Sequence, residues 1–385
     1  MASIKLKGDT SGEVTIQAPA VAGTTTLNLP ATSSTLATQN ALGVRNLIIN
    51  GDMKIDQRNA GSSVTPANFA YTLDRWQAVQ TTASKFSVQQ NAGSVTPPSG
   101  HKTYLGITSL SAYSVLTGDI YSINQNIEGF NTAHLMFGTA NASTFTISFW
   151  VRSSLTGTFG GSVANGANDR SYPFSYTISS ADTWEQKTVT IDGDTTGTWV
   201  GATNGNGLVV RFGLGGGSTF SGTAGSWASA NYYTATGATS VVGTSGATFY
   251  ITGVQLEVGD TATPFEHRPY DMELARCQRY YQKSYNIDVA PATNTTVGQF
   301  DHNFLNLGNY GSVNQRFGIA MRTNPTMTAY SPAGASGTIQ YWDGSATQTR
   351  TTNFTIGGSH QNFYQQDTVF NHTNITFQWT ADAEL

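Results

Sequence analysis

Apolar and polar positions alternate through Thr144–Arg152, and Phe145, Ile147, Phe149 and Val151 fall on one face. A period of two over this length predicts a strand with one buried face. Thr248–Val258 reads the same way with an imperfect alternation: Phe249, Ile251, Gly253, Gln255 and Glu257 lie opposite Tyr250, Val254, Leu256 and Val258. Strand patterns recur at Lys85–Gln89, Trp184–Ile191 and Leu208–Gly213, with Gly-rich turns between them. Many short strands so separated predict a sandwich or barrel. Beyond residue 286 the pattern is β again, at Val297–Phe304, Ser312–Met321, Thr326–Tyr330, Gly337–Trp342 and Ile375–Thr380. Near the start, Glu13–Ala18 and Thr25–Pro30 alternate around a Pro-Gly turn and predict a hairpin too small to bury a core alone.

One stretch departs from the period of two. Tyr270, Leu274, Cys277 and Tyr281 recur at helical spacing within Arg268–Lys283, with Pro269 suited to the first turn. Asp271 and Glu273 come early and Arg276, Arg279 and Lys283 late, as the helix dipole favours. The arginines and lysine read as a solvated helix face, and Cys277 as a small buried hydrophobe. The division that results is an N-terminal arm and linker (1–45), a β-sandwich (46–265), a connecting helix (266–285) and a C-terminal β-sandwich (286–385). The sandwich opens with Asn46-Leu47-Ile48-Ile49, closed by Asn50-Gly51, which predicts a tight turn. The fold class expected is all-β.

Composition sharpens the picture. The 385 residues carry only 11% charged side chains, with Gly, Ser, Thr and Asn at the polar positions, against about 25% in average domains. An equal share of aromatics, 11%, argues against disorder. The net charge of −4 comes with no basic block, so nucleic acid is not an expected partner. No apolar run is long enough for membrane insertion, and no signal-peptide pattern opens the chain, so neither spanning nor signal-directed export is expected. A single cysteine excludes an intrachain disulfide.

Searching for chemistry leaves little. Gly160-Gly161-Ser162-Val163-Ala164 lacks the last glycine of a nucleophile elbow, and Gly213–Gly217 lacks the Lys-Ser/Thr of a phosphate loop. The histidines are dispersed, with no metal-ligand spacing. Carboxylates close in sequence, Asp182 with Glu185 and Asp192 with Asp194, sit where turns are expected. No catalytic residue, metal or cofactor is therefore assigned. Sugar binding needs exposed aromatics beside amides or carboxylates. Tyr341, Trp342 and Asp343 are the first candidates, because Asp343-Gly344 predicts a hairpin turn between Thr338–Trp342 and Ser345–Arg350; a Trp pinned inside the distal sandwich is the alternative there. Trp227, Tyr232 and Tyr233, in a Gly/Ser/Ala-rich stretch, are the second; an aromatic staple holding a long loop is the alternative there.

Two resemblances add to this. Gly8–Pro30, continuing through Ala31–Thr38, resembles the N-terminal region of tail fibres and related structural proteins of tailed bacteriophages. Asn46–Asp52, Asp74-Arg75-Trp76, Phe145–Val151, Trp184-Glu185-Gln186 and Phe249–Glu257, in that order, resemble carbohydrate-binding-module jelly rolls over residues 46–265. Pro264–Tyr281, Met321–Met327 and Phe377–Leu385 resemble the junction and C-terminal domains of phage fibre-like proteins. Together they imply a non-catalytic homotrimeric virion protein, assembled in the host cytoplasm, docked on tail or capsid proteins through residues 1–45. Its distal domain would recognise a host-surface glycan or receptor. A capsid head fibre and a glycan depolymerase are the alternatives. The jelly-roll family often holds a structural calcium, but Lys54 and Thr252 depart from its pattern and no metal is expected.

Overall fold

A computed structural model describes residues 3–7, 12–17, 45–303, 311–342, 345–351, 360–367 and 374–385. They belong to two compact units, Met1–Gly43 and Val44–Leu385. In the first, β1 (Ser3–Lys7) pairs antiparallel with β2 (Glu13–Gln17), Ile4 opposite Ile16 and Leu6 opposite Val14. The arm is therefore a hairpin, but the partner of the Glu13 strand precedes it. Ser3–Lys7 alternates as well as any run in this region, and Gly12, just before β2, takes the left-handed φ of +81° that glycine tolerates. Thr25–Pro30 lies outside the described residues.

The second unit is built on a jelly-roll β-sandwich. Its strands are β3 (Gln77–Gln80), β4 (Phe86–Gln90), β5 (Leu105–Ser109), β6 (Ile120–Glu128), β7 (Phe145–Ser153), β8 (Gly157–Asn165), β9 (Ser171–Ile178), β10 (Glu185–Ile191) and β11 (Asn206–Gly216). Two short strands, β12 (Ser221–Gly222) and β13 (Thr234–Ala235), precede the closing β14 (Thr248–Val258). One five-stranded sheet runs β10-β7-β14-β5-β4 and the other β3-β6-β11-β8-β9. Phe145, Ile147, Phe149 and Val151 do share the buried face of β7, in one core with Val210 and Phe212 of the opposite sheet and Trp76 just before β3. Burying residues of this size contributes about 1.5–3 kcal/mol each. The opening Asn46–Gly51 segment lies along β14, with Leu47 N–H donating to Leu256 O and Val254 N–H to Gly51 O, both at 2.9 Å. Gly51 approaches Val254 O so closely that no Cβ would fit, which is why glycine stands there.

After one helical turn, α1 (Gly129–Thr132), the only longer helix among the described residues is α2 (Tyr270–Gln278). It stops short of the predicted Lys283. Tyr281–Lys283 instead forms β15, paired with residues 380–382 of β22 (Asn374–Asp382). The helical spacing of Tyr281 is thus coincidental: an apolar residue at a helical interval also suits a strand. Cys277 is buried against Ile49, Ile55 and Tyr280, and burial pushes its thiol pKa up. The expected solvated face is overturned. Arg268 is buried, donating to Ile48 O at 3.0 Å and pairing with Glu273 at 3.2 Å. Arg279 pairs with Glu128 at 2.5 Å and Lys283 donates to Val289 O at 2.7 Å. Burial opposes ionisation of Glu128, but hydrogen bonds from Arg279 and Tyr280 outweigh it and hold its carboxyl below the usual range.

The C-terminal strands gather around β22. It pairs with β15, β16 (Phe300–Asn303), β18 (Thr326–Tyr330) and β19 (Thr338–Trp342), and β19 pairs with β20 (Thr347–Thr351). A separate pair joins β17 (Gly311–Arg316) to β21 (Asn362–Asp367). Ile339, Phe377, Met321 and Ala381 form the core here. The last residues return to the jelly roll. Arg58 pairs with Asp382 at 2.7 Å and Glu384 at 3.2 Å, Arg75 also pairs with Glu384, and Tyr71 Oη donates to Leu385 O at 2.8 Å. Arg75 and Arg58 further stack on Tyr280 and Tyr281, 3.5 and 3.8 Å from the ring centroids.

Candidate functional site

The hairpin expected around Asp343-Gly344 is present, β19 and β20 pairing from Thr338–Thr351 to Trp342–Thr347. Alternation along β19 buries Ile339 and packs Tyr341, half-buried, against the same core, while Gln340 and Trp342 take the other parity. Trp342 is 41% exposed, and its backbone N–H donates to Asn374 Oδ1 at 3.1 Å. Beside it lies a groove of about 250 Å³ whose walls include Gln340, Tyr341, Trp342, Asn374, Thr376 and Gln299. Thr376 Oγ1 and Gln299 Nε2 donate to the two carboxylate oxygens of Asp301, at 2.6 and 2.7 Å. An exposed indole ringed by amides and hydroxyls offers apolar contact to one face of a ligand and neutral hydrogen bonds to its edge. Asp343 lies outside the described residues.

The second group of aromatics sits in the loop between β11 and β14. Trp227 is half-buried, its Nε1 donating to Asp192 O at 2.7 Å. Its ring meets Trp199 and Tyr172 edge-on at 5.5 and 5.4 Å. Tyr232 packs on Gly222. Tyr233 is buried against Arg211, whose guanidinium lies 3.9 Å from its ring centroid. All three are arranged as staples that fix the loop to the sheet beneath it.

The carboxylates close in sequence are all engaged. Asp182 pairs with Arg152 at 3.0 Å, Glu185 with Lys187 at 2.6 Å, and Asp194 grips Arg170 through both oxygens at 2.7 Å. Asp192 accepts from Thr144 Oγ1 at 3.1 Å. The Lys187 hydrogen bond lowers the Glu185 pKa. At Asp194 burial works the other way, but Arg170 and Thr196 prevail and the pKa is again lowered. A general acid for glycoside cleavage needs the opposite shift. Among the described residues no group of three or more His, Cys, Asp or Glu could hold a metal ion.

Sequence reasoning missed a larger groove, about 620 Å³, on the outer face of the β10-β7-β14-β5-β4 sheet. Its floor is Trp150 of β7, flanked in register by Gln186 of β10 and Thr252 of β14. The apolar parity of Phe145–Val151 was the available signal, since it places Trp150 on the outer face. Its walls come from segments that no local pattern joins: His101, Phe265 and His267, whose rings stand 5.0–5.4 Å apart.

No family model matches this chain, and none of the curated proteins does. Several solved structures resemble part of it. One, described as "CBM4 structure and function", is 15% identical, covers 55% of this chain and 98% of its own, with a TM-score of 0.29. A putative sugar binding protein from Bacteroides thetaiotaomicron is 12% identical over 56% of this chain and 100% of its own, with a TM-score of 0.33. The enzymatically active domain of bacteriophage CBA120 tailspike protein 4 is 12% identical over 54% of this chain and 22% of its own, with a TM-score of 0.26. Scores of this size do not bear on fold or function.

Proposed function

We propose that this chain is a non-catalytic, homotrimeric structural protein of a bacteriophage virion, of the tail-fibre kind, that recognises a glycan on the host surface. The observation that carries the recognition part is Trp342, 41% exposed at the end of β19 in a groove with Gln340, Asn374 and Thr376. A sugar ring stacks its C–H face on an indole, and its hydroxyls suit amides and hydroxyl groups. Single contacts of this kind are weak, and three copies on one particle would add by avidity. Attachment through residues 1–45 and the virion role rest on the resemblance of Gly8–Thr38 to fibre N-termini.

The test is Trp342→Ala in the full chain on virions. Adsorption to host cells should fall at least about tenfold, while thermal stability changes by under about 1 kcal/mol, as for other exposed substitutions. Unchanged adsorption would overturn recognition at this groove. Light scattering of the purified chain should give three copies, and a stable monomer at micromolar concentration would remove the trimer.

A further inference from the structure

We infer that the groove over Trp150 is a second binding site, for a short neutral saccharide, on a face of the jelly roll separate from Trp342. This rests on the glycan-recognition reading and names a site of its own.

Three observations converge on it. The first is a backbone adaptation that brings two rings together. Gly253 on β14 sits at φ +61°, where the pairing of β14 with β7 shifts register between Thr252 and Gln255. A Cβ there would stand 2.7 Å from His101 Cε1 and 3.2 Å from Trp150 Cδ1. Glycine, tolerating both the angle and the crowding, lets imidazole and indole close over the strand.

The second is an unanswered polar atom. His101 is 7% exposed, lines the groove, and its buried Nδ1 has no hydrogen-bond partner. Buried polar side chains in folded proteins are normally paired, so an unpaired one within a cavity wall is an exception among them. Burial, with His267 beside it, depresses the His101 pKa and keeps the ring neutral. A neutral imidazole can exchange hydrogen bonds with a hydroxyl without drawing an anion.

The third is the composition of the walls. Trp150 and Phe265 supply apolar faces, and Gln186 and Thr188, both exposed on β10, supply an amide and a hydroxyl at the rim. Among the described residues that line the groove there is no carboxylate, lysine or arginine. None of these residues thus brings a permanent charge to a phosphate or a uronate. About 620 Å³ is within the usual range for small-molecule sites. The chemistry left is that of uncharged, hydroxyl-rich rings with apolar faces.

The experiment uses the full chain and photoreactive diazirine derivatives of neutral trisaccharides of glucose, galactose and mannose, with labelled peptides identified by mass spectrometry. Label is expected within 145–153, 185–191 and 262–268, reduced at least about tenfold in Trp150→Ala and in Gln186→Ala. Gln186 is exposed on β10, so its variant keeps the fold and serves where Trp150→Ala does not. A sialylated trisaccharide should label this groove less than the neutral ones. Label confined to 338–351, or undiminished in Gln186→Ala, would overturn this site and leave the glycan reading standing. No label with any of the trisaccharides would overturn this site, and the glycan reading itself stands or falls with the adsorption of Trp342→Ala virions.

Discussion

The two outer faces of the jelly roll have opposite fates, although the inner faces are built alike. At the centre of the β3-β6-β11-β8-β9 sheet, Arg211 is 1% exposed beneath the loop that carries β12 and β13. It donates to Tyr232 O at 2.8 Å and Asn231 Oδ1 at 3.0 Å, and bonds Asn168. Thr234 of β13 sits over Gly213, where a Cβ would stand 2.6 Å from its Oγ1. Glycines on β8 and β11 thus make room for a roof, and an arginine ties it down. On the other sheet the outward residue of β7, beside the middle strand β14, is Trp150, half-buried, with no strand among the described residues laid over it and a groove above. The same sandwich yields a sealed face where a cation and glycines point outward, and an open one where an indole does.

Breaking the sealed face should cost the most. Arg211→Met removes the bonds that hold the roof and takes the guanidinium from Asn231 Oδ1 and Asn168, while Tyr232 O keeps its bond from Ser162 Oγ. A loss of about 2–4 kcal/mol is expected in urea unfolding, with new proteolytic cleavage between residues 217 and 240. A loss below about 1 kcal/mol would mean that the roof holds without it. Trp227→Ala tests the same roof at its edge. The ring packs on Trp199 and Tyr172 but is only half-buried, so about 2 kcal/mol is expected.

The open face should yield less stability and more function. Gly253→Ala forces a side chain into a left-handed conformation and against His101, for a loss of about 1–3 kcal/mol. It should also abolish saccharide labelling of the Trp150 groove. Wild-type labelling in that variant would show that the close approach of the two rings has no part in the site.

Much of the sandwich could be read from local pattern, because a strand with one buried face writes its period into consecutive residues. Thr248–Val258 has the predicted limits, and Phe145–Ser153 differs from its prediction by one residue at each end. The pairing of Ser3–Lys7 with β2 has no counterpart in the local reading, and the end of α2 was misread, because the deciding partner lies elsewhere in the chain. Tyr281 joins a strand because residues 380–382 are there to pair with it. The basic residues on either side of 276 looked solvated because their acceptors, Glu128, Ile48 and Val289, lie on other elements. The Trp342 groove was partly legible, since an Asp-Gly turn places its flanking residues near a hairpin tip. The Trp150 groove was not. Its wall needs His101 beside Phe265, more than 160 positions apart in the chain, and no period records that.

The smallest effect expected is the share of the pH dependence that His101 contributes on the open face. His101 is held neutral by burial first and by His267 second, with Lys54 acting the same way and Asp52 opposing them. Its folded pKa therefore lies below the ordinary value of about 6.5 that it regains on unfolding. Between those two pKa values the unfolded chain holds more protons, so stability rises with pH through this window and is lost as pH falls from about 6.5. His134, also depressed by burial, contributes with the same sign, so the informative quantity is a difference. Urea midpoints measured at pH 7.5 and 5.5 should move closer together in His101→Gln than in the unchanged chain. A neutral saccharide that satisfies His101 should protect the fold more at pH 7.5 than at 5.5, because it binds the uncharged ring. If the midpoints of the two proteins shift equally with pH, His101 is solvated and the groove wall is not sealed around it.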